Sequence, residues 1–346
     1  MASRLSQTPQ LQTLARDLGL KLSDNVVRDI LRHCDQRIRK LLSDFTDEQN
    51  PGSILDWLAS KLGTRFEIVR TDDELRSLQE KYVALEEIGF VDLVKELSDD
   101  AFGITIMRHK QEHFEPPFVS IIDCRGNKVS RRYFTKWHEI AHLLTMTDQM
   151  RLVFRRTQCS AESKDPEEIL MDITAGQFGY RPPSTFKFET DEISFEAIET
   201  LRLLLCPESS KQAALISFIK FWPSPCMLVT AKLGMRKKEE RQAAQNRFDF
   251  TEAPPEYLRA VKITLSDVAR EEGFTIFRNM RVPESSVIFR VYTDTVNELA
   301  ADEDLNIWGS SDGSFLSSRK VRVKARKCWD GVEALIYPYS KSPVVH

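Results

Sequence analysis

The sequence predicts an α+β fold, in which a helical N-terminal leader and a central mixed segment precede a mostly β C-terminal domain. Two observations carry this expectation. Apolar residues recur at helical spacing through much of the leader and the central segment, interrupted by two alternating stretches, FGITIMR and PFVSIID. From about Ala260 to Tyr339 the pattern changes to period-two alternation in FTIF, VIFRVY, KVRVKA and EALIY, which reads as strands. The segments expected are 1–50 for the leader, 51–240 for the central domain and 255–346 for the C-terminal domain.

The elements follow in order. Val26, Val27, Ile30, Leu31, Cys34, Ile38, Leu41 and Leu42 line one face of a helix that Ser23 or Asp24 is placed to cap. DEQNPGS, from Asp47 to Ser53, has turn chemistry and closes the leader. Ile54, Leu55, Leu58 and Leu62 form a helix ending at Gly63, and Phe66 and Ile68 alternate with polar neighbours as a short strand. Charged helices run on to about Leu97. FGITIMR and PFVSIID, separated by a polar stretch with Pro116 and Pro117, read as a hairpin-like pair, and the turn at Arg125, Gly126 and Asn127 leads into a new helix. Beyond Thr200, Pro207, Pro223 and Pro225 break two or three helices that pack on the core, up to the charged run RKKEERQAAQNR. The strand Lys320 to Arg326 alternates basic and apolar residues; the reading preferred is an edge strand guarded by charge, with a phosphate or acidic-partner surface as the alternative.

Composition removes several function classes. The chain has 346 residues, with 49 Lys and Arg against 52 Asp and Glu, so its formal charge of −3 argues against a surface shaped as a whole for nucleic acid. Its apolar runs fall far short of the roughly 20 residues that cross a bilayer, so no membrane partner is expected. No apolar stretch follows MASRLSQTPQ as in a secretory leader. Cys34, Cys124, Cys159, Cys206, Cys226 and Cys328 form no CxxC pair, which fits free thiols in a reducing compartment, and a cytoplasmic location is expected.

The chemistry concentrates in TKWHEIAHLLTMTD, from Thr135 to Asp148. His138-Glu139-Ile140-Ala141-His142 is an HExxH motif in a stretch of helical periodicity. Residues four apart stack on one helical face, so both imidazoles can bind one Zn²⁺. Glu139 sits one position round, where a carboxylate can act as general base toward water that the metal activates. Trp137, Ile140, Ala141 and Leu144 form a stripe expected to bury the helix while the histidine face lines a cleft. Two surface histidines on a partly buried helix are the bland reading of the bare motif.

A zinc site of this kind needs a third protein ligand. Thr145 and Asp148 stand where an extended HExxHxxGxxH motif would have its Gly and third His, so an acidic ligand is favoured. DPEEILMDITAGQF offers one: Pro166 suits a first helical turn, and Glu168 and Asp172 lie four apart on one face. Glu168 can bind the metal while Asp172 accepts the ring N–H of a ligating histidine; Glu167 and Glu162 compete for the ligand role. His109 to His113 formally reads HxxEH, but it follows a strand and runs into FEPPF, so a polar turn is the preferred reading.

RRYFTKWHEIAHLL resembles the active-site helix of the ImmA/IrrE-type zinc metallopeptidases, whose pattern runs R-x-F-T-x-x-H-E-x-x-H-x-L. EILMDITAGQF resembles their E-x-x-A-N-x-F-A-A segment, with Glu168 at the glutamate ligand position. The resemblance covers roughly Ser53 to Gly234 at pattern level and is specific across about fifty residues. Asp172 replaces the usual Asn, Gly179-Tyr180-Arg181-Pro182 stands where Leu-Leu-Met-Pro is common, and Ile140-Ala141 stands for Leu-Gly; none of these removes a ligand. The resemblance implies a zincin-like, gluzincin-type core and an intracellular endopeptidase of narrow specificity. Its expected partner is a protein substrate of the repressor-like regulator kind, in stress response or mobile-element control. The expected roles are His138, His142 and Glu168 on Zn²⁺, Glu139 as general base and Asp172 orienting a ligand, with Tyr180, Tyr133 and His109 as candidate oxyanion donors. The rival expectation is a non-proteolytic regulator or sensor that uses the same metal fold to bind a partner or DNA.

Overall fold

The computed structural model describes residues 5–45, 54–97, 101–109, 115–146, 153–157, 165–181, 192–235, 241, 255–309 and 313–339. Helices and strands are mixed, and the chain divides into two compact units, Met1–Pro183 with Thr200–Ala214 and Ser184–Glu199 with Leu215–His346.

In the first unit, helices α1 (Pro9–Asp17) and α2 (Val26–Leu41) come from the leader. The cap of α2 is Asn25, whose side chain accepts the Arg28 backbone N–H, rather than Ser23 or Asp24; Ser23 is drawn instead to the Asp29 carboxylate. The helix buries Val26, Val27, Ile30, Cys34 and Ile38, as their spacing requires. Helix α3 (Ile54–Lys61) ends at Gly63, whose φ of +72° takes the left-handed turn that leads into strand β1 (Thr64–Val69). Helix α4 (Asp72–Ala84) starts at Thr71, which accepts the Glu74 N–H. Strands β2 (Ala101–Met107) and β3 (Phe118–Asp123) precede helix α5 (Arg132–Leu144), and strand β4 (Val153–Thr157) precedes helix α6 (Pro166–Phe178).

The four strands form one sheet in the order β1-β3-β2-β4. β1 runs parallel to β3, and β2 runs antiparallel to both β3 and β4, so the expected hairpin-like pairing of FGITIMR with PFVSIID is present. The register places Thr105 opposite Ser120, and Ser120 opposite Phe66. Alternation gives this sheet two unlike faces. One carries Val69, Ile104, Ile106, Val119 and Ile121 into a core with Leu75, Tyr82, Phe90, Leu93 and Leu97. The other presents Gly103, Thr105, Ser120 and Thr64, and α5 lies against it.

The unit boundaries fall inside helices α7 (Phe195–Leu205) and α8 (Lys211–Phe221). The second unit is built on strands β5 (Met227–Gly234), β6 (Tyr257–Leu265), β7 (Glu298–Asp304), β8 (Lys320–Cys328) and β9 (Gly331–Pro338), all antiparallel, in the order β6-β5-β9-β8-β7. Its core holds Val229, Ala231, Val321, Val323, Ala325, Val332, Ala334 and Ile336 with Phe274 and Trp308. Strand β5 occupies residues whose sequence reads as helical, because Val229 and Ala231 alternate into that core.

Three readings of the C-terminal sequence are corrected. VIFRVY forms helix α9 (Val287–Thr293), not a strand: Ser286 accepts the Ile288 N–H as an N-cap, and Val287, Ile288 and Val291 are buried at helical spacing. FTIF takes no regular structure, although Phe274 and Ile276 are buried. The basic strand β8 is not an edge; it lies between β9 and the acidic β7, with Arg322 on Asp302 at 2.9 Å, Lys324 on Glu192 at 2.8 Å and Arg326 on Glu333 at 2.9 Å. Arg322 and Arg326 therefore meet carboxylates on the neighbouring strands, and Lys324 meets one from outside the sheet.

Candidate metal centre

Helix α5 follows a tight 3₁₀ turn, Gly126–Arg131, and is buried at Tyr133 and at every position from Thr135 to Leu144. The cause is cover on several sides: the sheet lies under it, α6 packs along it, and α2 reaches its C-terminal end. There Arg37 Nη1 donates to the Leu144 carbonyl at 2.8 Å, satisfying one of the acceptors that a helix end leaves open. Arg181, just beyond α6, adds an ion pair to Asp35 of α2 at 3.1 Å. The histidine face is thus no open cleft wall: His138 is 0% exposed and His142 5%. The partly open side is that of α6, where the Glu168 and Asp172 side chains keep 21% and 26% of their exposure.

The register of α6 decides which acid meets the histidines. Asp165 caps the helix by accepting the Glu167 N–H, Pro166 occupies the first turn, and Glu168 then points at α5. His138 Nε2 and His142 Nε2 stand 3.1 Å apart, and the Glu168 carboxylate lies 3.2 Å from the first and 3.3 Å from the second. Three donors each about 2.1 Å from one ion at tetrahedral angles stand about 3.4 Å apart, so these residues fit a metal ion. Among the described residues, His138, His142 and Glu168 are the group of His, Cys, Asp and Glu with this geometry, and Glu167 is not in it. Burial pushes the Glu168 carboxyl up, but hydrogen bonds and positive charge from His138 and His142 outweigh it and hold the group at about 2.

Asp172, one turn on, brings Oδ1 to 3.0 Å from His138 Nδ1. A carboxylate there fixes the proton on Nδ1 and leaves Nε2, the nitrogen that faces His142 and Glu168, as the metal-binding atom. Glu139 turns the other way, toward the sheet. It is fully buried, and its Oε2 accepts the Thr105 hydroxyl at 2.7 Å. Beside it a β-carbon on residue 103 would stand 2.9 Å from Glu139 Oε1 and 2.7 Å from the Thr135 methyl, so glycine is what lets strand and helix approach this closely. Sequence reading missed Thr105, Ser120, Thr64 and Gly103, because nothing local marks four small residues that only strand pairing brings together.

The remaining candidates are placed as follows. The Tyr133 hydroxyl donates to the Gly179 carbonyl, and its ring meets Tyr180 edge-on with centroids 5.4 Å apart, so both rings seat the end of α6 on α5. His109 is exposed at the end of β2 and gives its backbone N–H to Glu87; His113 and Glu162 lie outside the described residues. Cys34, Cys124, Cys206, Cys226 and Cys328 form no disulfide, Cys159 lies outside the described residues, and burial pushes the Cys34 and Cys226 thiols up to about 12. Among the described residues no helix is long and apolar enough to cross a membrane. No protein-family model and no curated protein matches the chain.

Proposed function

We propose that this chain is a zincin-like zinc endopeptidase of the ImmA/IrrE type, acting inside the cell on a narrow range of protein substrates such as repressor-like regulators. The observation that carries the reading is the convergence of His138, His142 and Glu168 within 3.3 Å of one another, backed by Asp172 on the outer nitrogen of His138. Zinc, when bound, supplies Lewis acidity to the scissile carbonyl and lowers the pKa of water toward about 7. The protein does the rest. His138, His142 and Glu168 hold the ion, Asp172 keeps His138 in the binding tautomer, and Glu139 takes the proton from the attacking water and returns it to the leaving amine. A regulator or sensor that uses the metal fold to hold a partner is the second reading, favoured by the complete burial of Glu139.

Purified full-length protein should carry about one zinc per chain by elemental analysis, and His142→Ala should lose it. Glu139→Gln should keep both the metal and the thermal stability, yet cleave co-expressed candidate regulators at least about 100-fold more slowly. Full biological activity in Glu139→Gln, combined with its loss in His142→Ala, would replace the peptidase reading with the sensor.

A further inference from the structure

A line of three hydroxyl groups crosses the sheet of the first unit and ends on Glu139. Thr64 Oγ1 of β1 lies 2.9 Å from Ser120 Oγ of β3, Ser120 Oγ lies 2.7 Å from Thr105 Oγ1 of β2, and Thr105 Oγ1 lies 2.7 Å from Glu139 Oε2. Thr64 is 4% exposed and the other three are 0% exposed, so the line is sheltered from water throughout. The order of the residues follows the strand order β1-β3-β2 and then steps up to α5.

The direction of every bond in this line is set by chemistry. Thr105 donates its one proton to Glu139 Oε2. Ser120 must then donate to Thr105, and Thr64 to Ser120. The three hydroxyl dipoles align toward the carboxylate and strengthen one another in a low-dielectric interior. Building the sheet does not call for them, since the opposite face of the same strands is filled by Ile104, Ile106, Val119 and Ile121. A carboxyl group under α5 does call for them, because a buried polar group is costly without hydrogen bonds. Gly103 completes the arrangement by removing the β-carbon that would collide with the other carboxylate oxygen.

We infer that Thr105, with Ser120 and Thr64 aligned behind it, is a positioning residue that pins the Glu139 carboxyl group against strand β2. The inference rests on the reading of Glu139 as the general base beside a metal. Thr105 touches neither metal nor substrate; it acts through Glu139.

The test uses full-length protein loaded with cobalt(II) and titrated with acetohydroxamate, with affinity read from the visible absorption of the metal. A hydroxamate chelates the ion and hands a proton to a neighbouring base, so its affinity reports where the Glu139 carboxylate stands. Thr105→Val should bind cobalt like the unaltered chain but weaken the hydroxamate about tenfold or more, and Thr105→Ser should restore it. In a Glu139→Gln background, Thr105→Val should change nothing further. If Thr105→Val does not fold, Ser120→Ala carries the same cycle, with an expected loss of about threefold. Equal weakening by Thr105→Val in both backgrounds, or failure of Thr105→Ser to restore affinity, would overturn the positioning role alone. Unchanged hydroxamate affinity in Glu139→Gln would remove the peptidase reading and the positioning role together.

Discussion

In the second unit, β8 turns Val321, Val323 and Ala325 into the core and sets Arg322, Lys324 and Arg326 against acids on its other face, so apolar and charged groups are kept apart. In the first unit, β2 and β3 turn Thr105 and Ser120 inward beneath α5, where they meet a buried glutamate instead of more hydrocarbon. The first arrangement is how a sheet is made stable: apolar area leaves water and each charge meets an opposite one. The second spends burial on polar groups, each of which must find a partner or cost about 1 to 3 kcal/mol. A fold accepts that where the polar groups have work to do, which is the role proposed for Glu139.

The contrast can be broken most forcefully in the second unit. Val323→Asp places an unpartnered carboxylate in an apolar core and should cost about 4 kcal/mol or more, seen as a large drop in the midpoint of thermal unfolding. A loss below about 1 kcal/mol would mean that the inner face of β8 is not sealed after all. In the first unit a side-chain truncation should be felt in metal affinity. Asp172→Ala removes the acceptor behind His138 and should weaken zinc about 10- to 100-fold by competition with a chelator, with the helix pair intact by circular dichroism. Unchanged affinity would mean that His138 is oriented without Asp172. The smallest effect belongs to the outer face of β8. Arg322→Ala removes a partly exposed pair with Asp302 and should shift stability by less than about 1 kcal/mol, with the difference shrinking further in high salt.

What the sequence disclosed follows how local each signal is. His138 and His142 share a helix, and Glu168 and Asp172 share another, so their relative placement follows from helical geometry alone. Even the choice of Glu168 over Glu167 is a matter of register, set by Asp165 as cap and Pro166 in the first turn. The hydroxyl line was illegible because Thr64, Ser120 and Thr105 meet only when three strands pair, and one of those pairings is parallel. Strand β7 was invisible for a related reason. ELAADED has little strand propensity of its own, and its pairing draws on the bases of β8, with Asp302 opposite Arg322 and Asp304 opposite Lys320. VIFRVY misled in the opposite direction, since it is rich in β-branched and aromatic residues, as strands are, while Ser286 and the burial of Val287, Ile288 and Val291 make it a helix.

The bond from Arg37 to the Leu144 carbonyl ties the N-terminal leader to the site. A stretch before residue 54 closes the last turn of the helix bearing His138 and His142, and Asp35 pairs with Arg181 just past the helix bearing Glu168. Loss of the leader would therefore leave open the ends of two helices that lie far from it in the sequence.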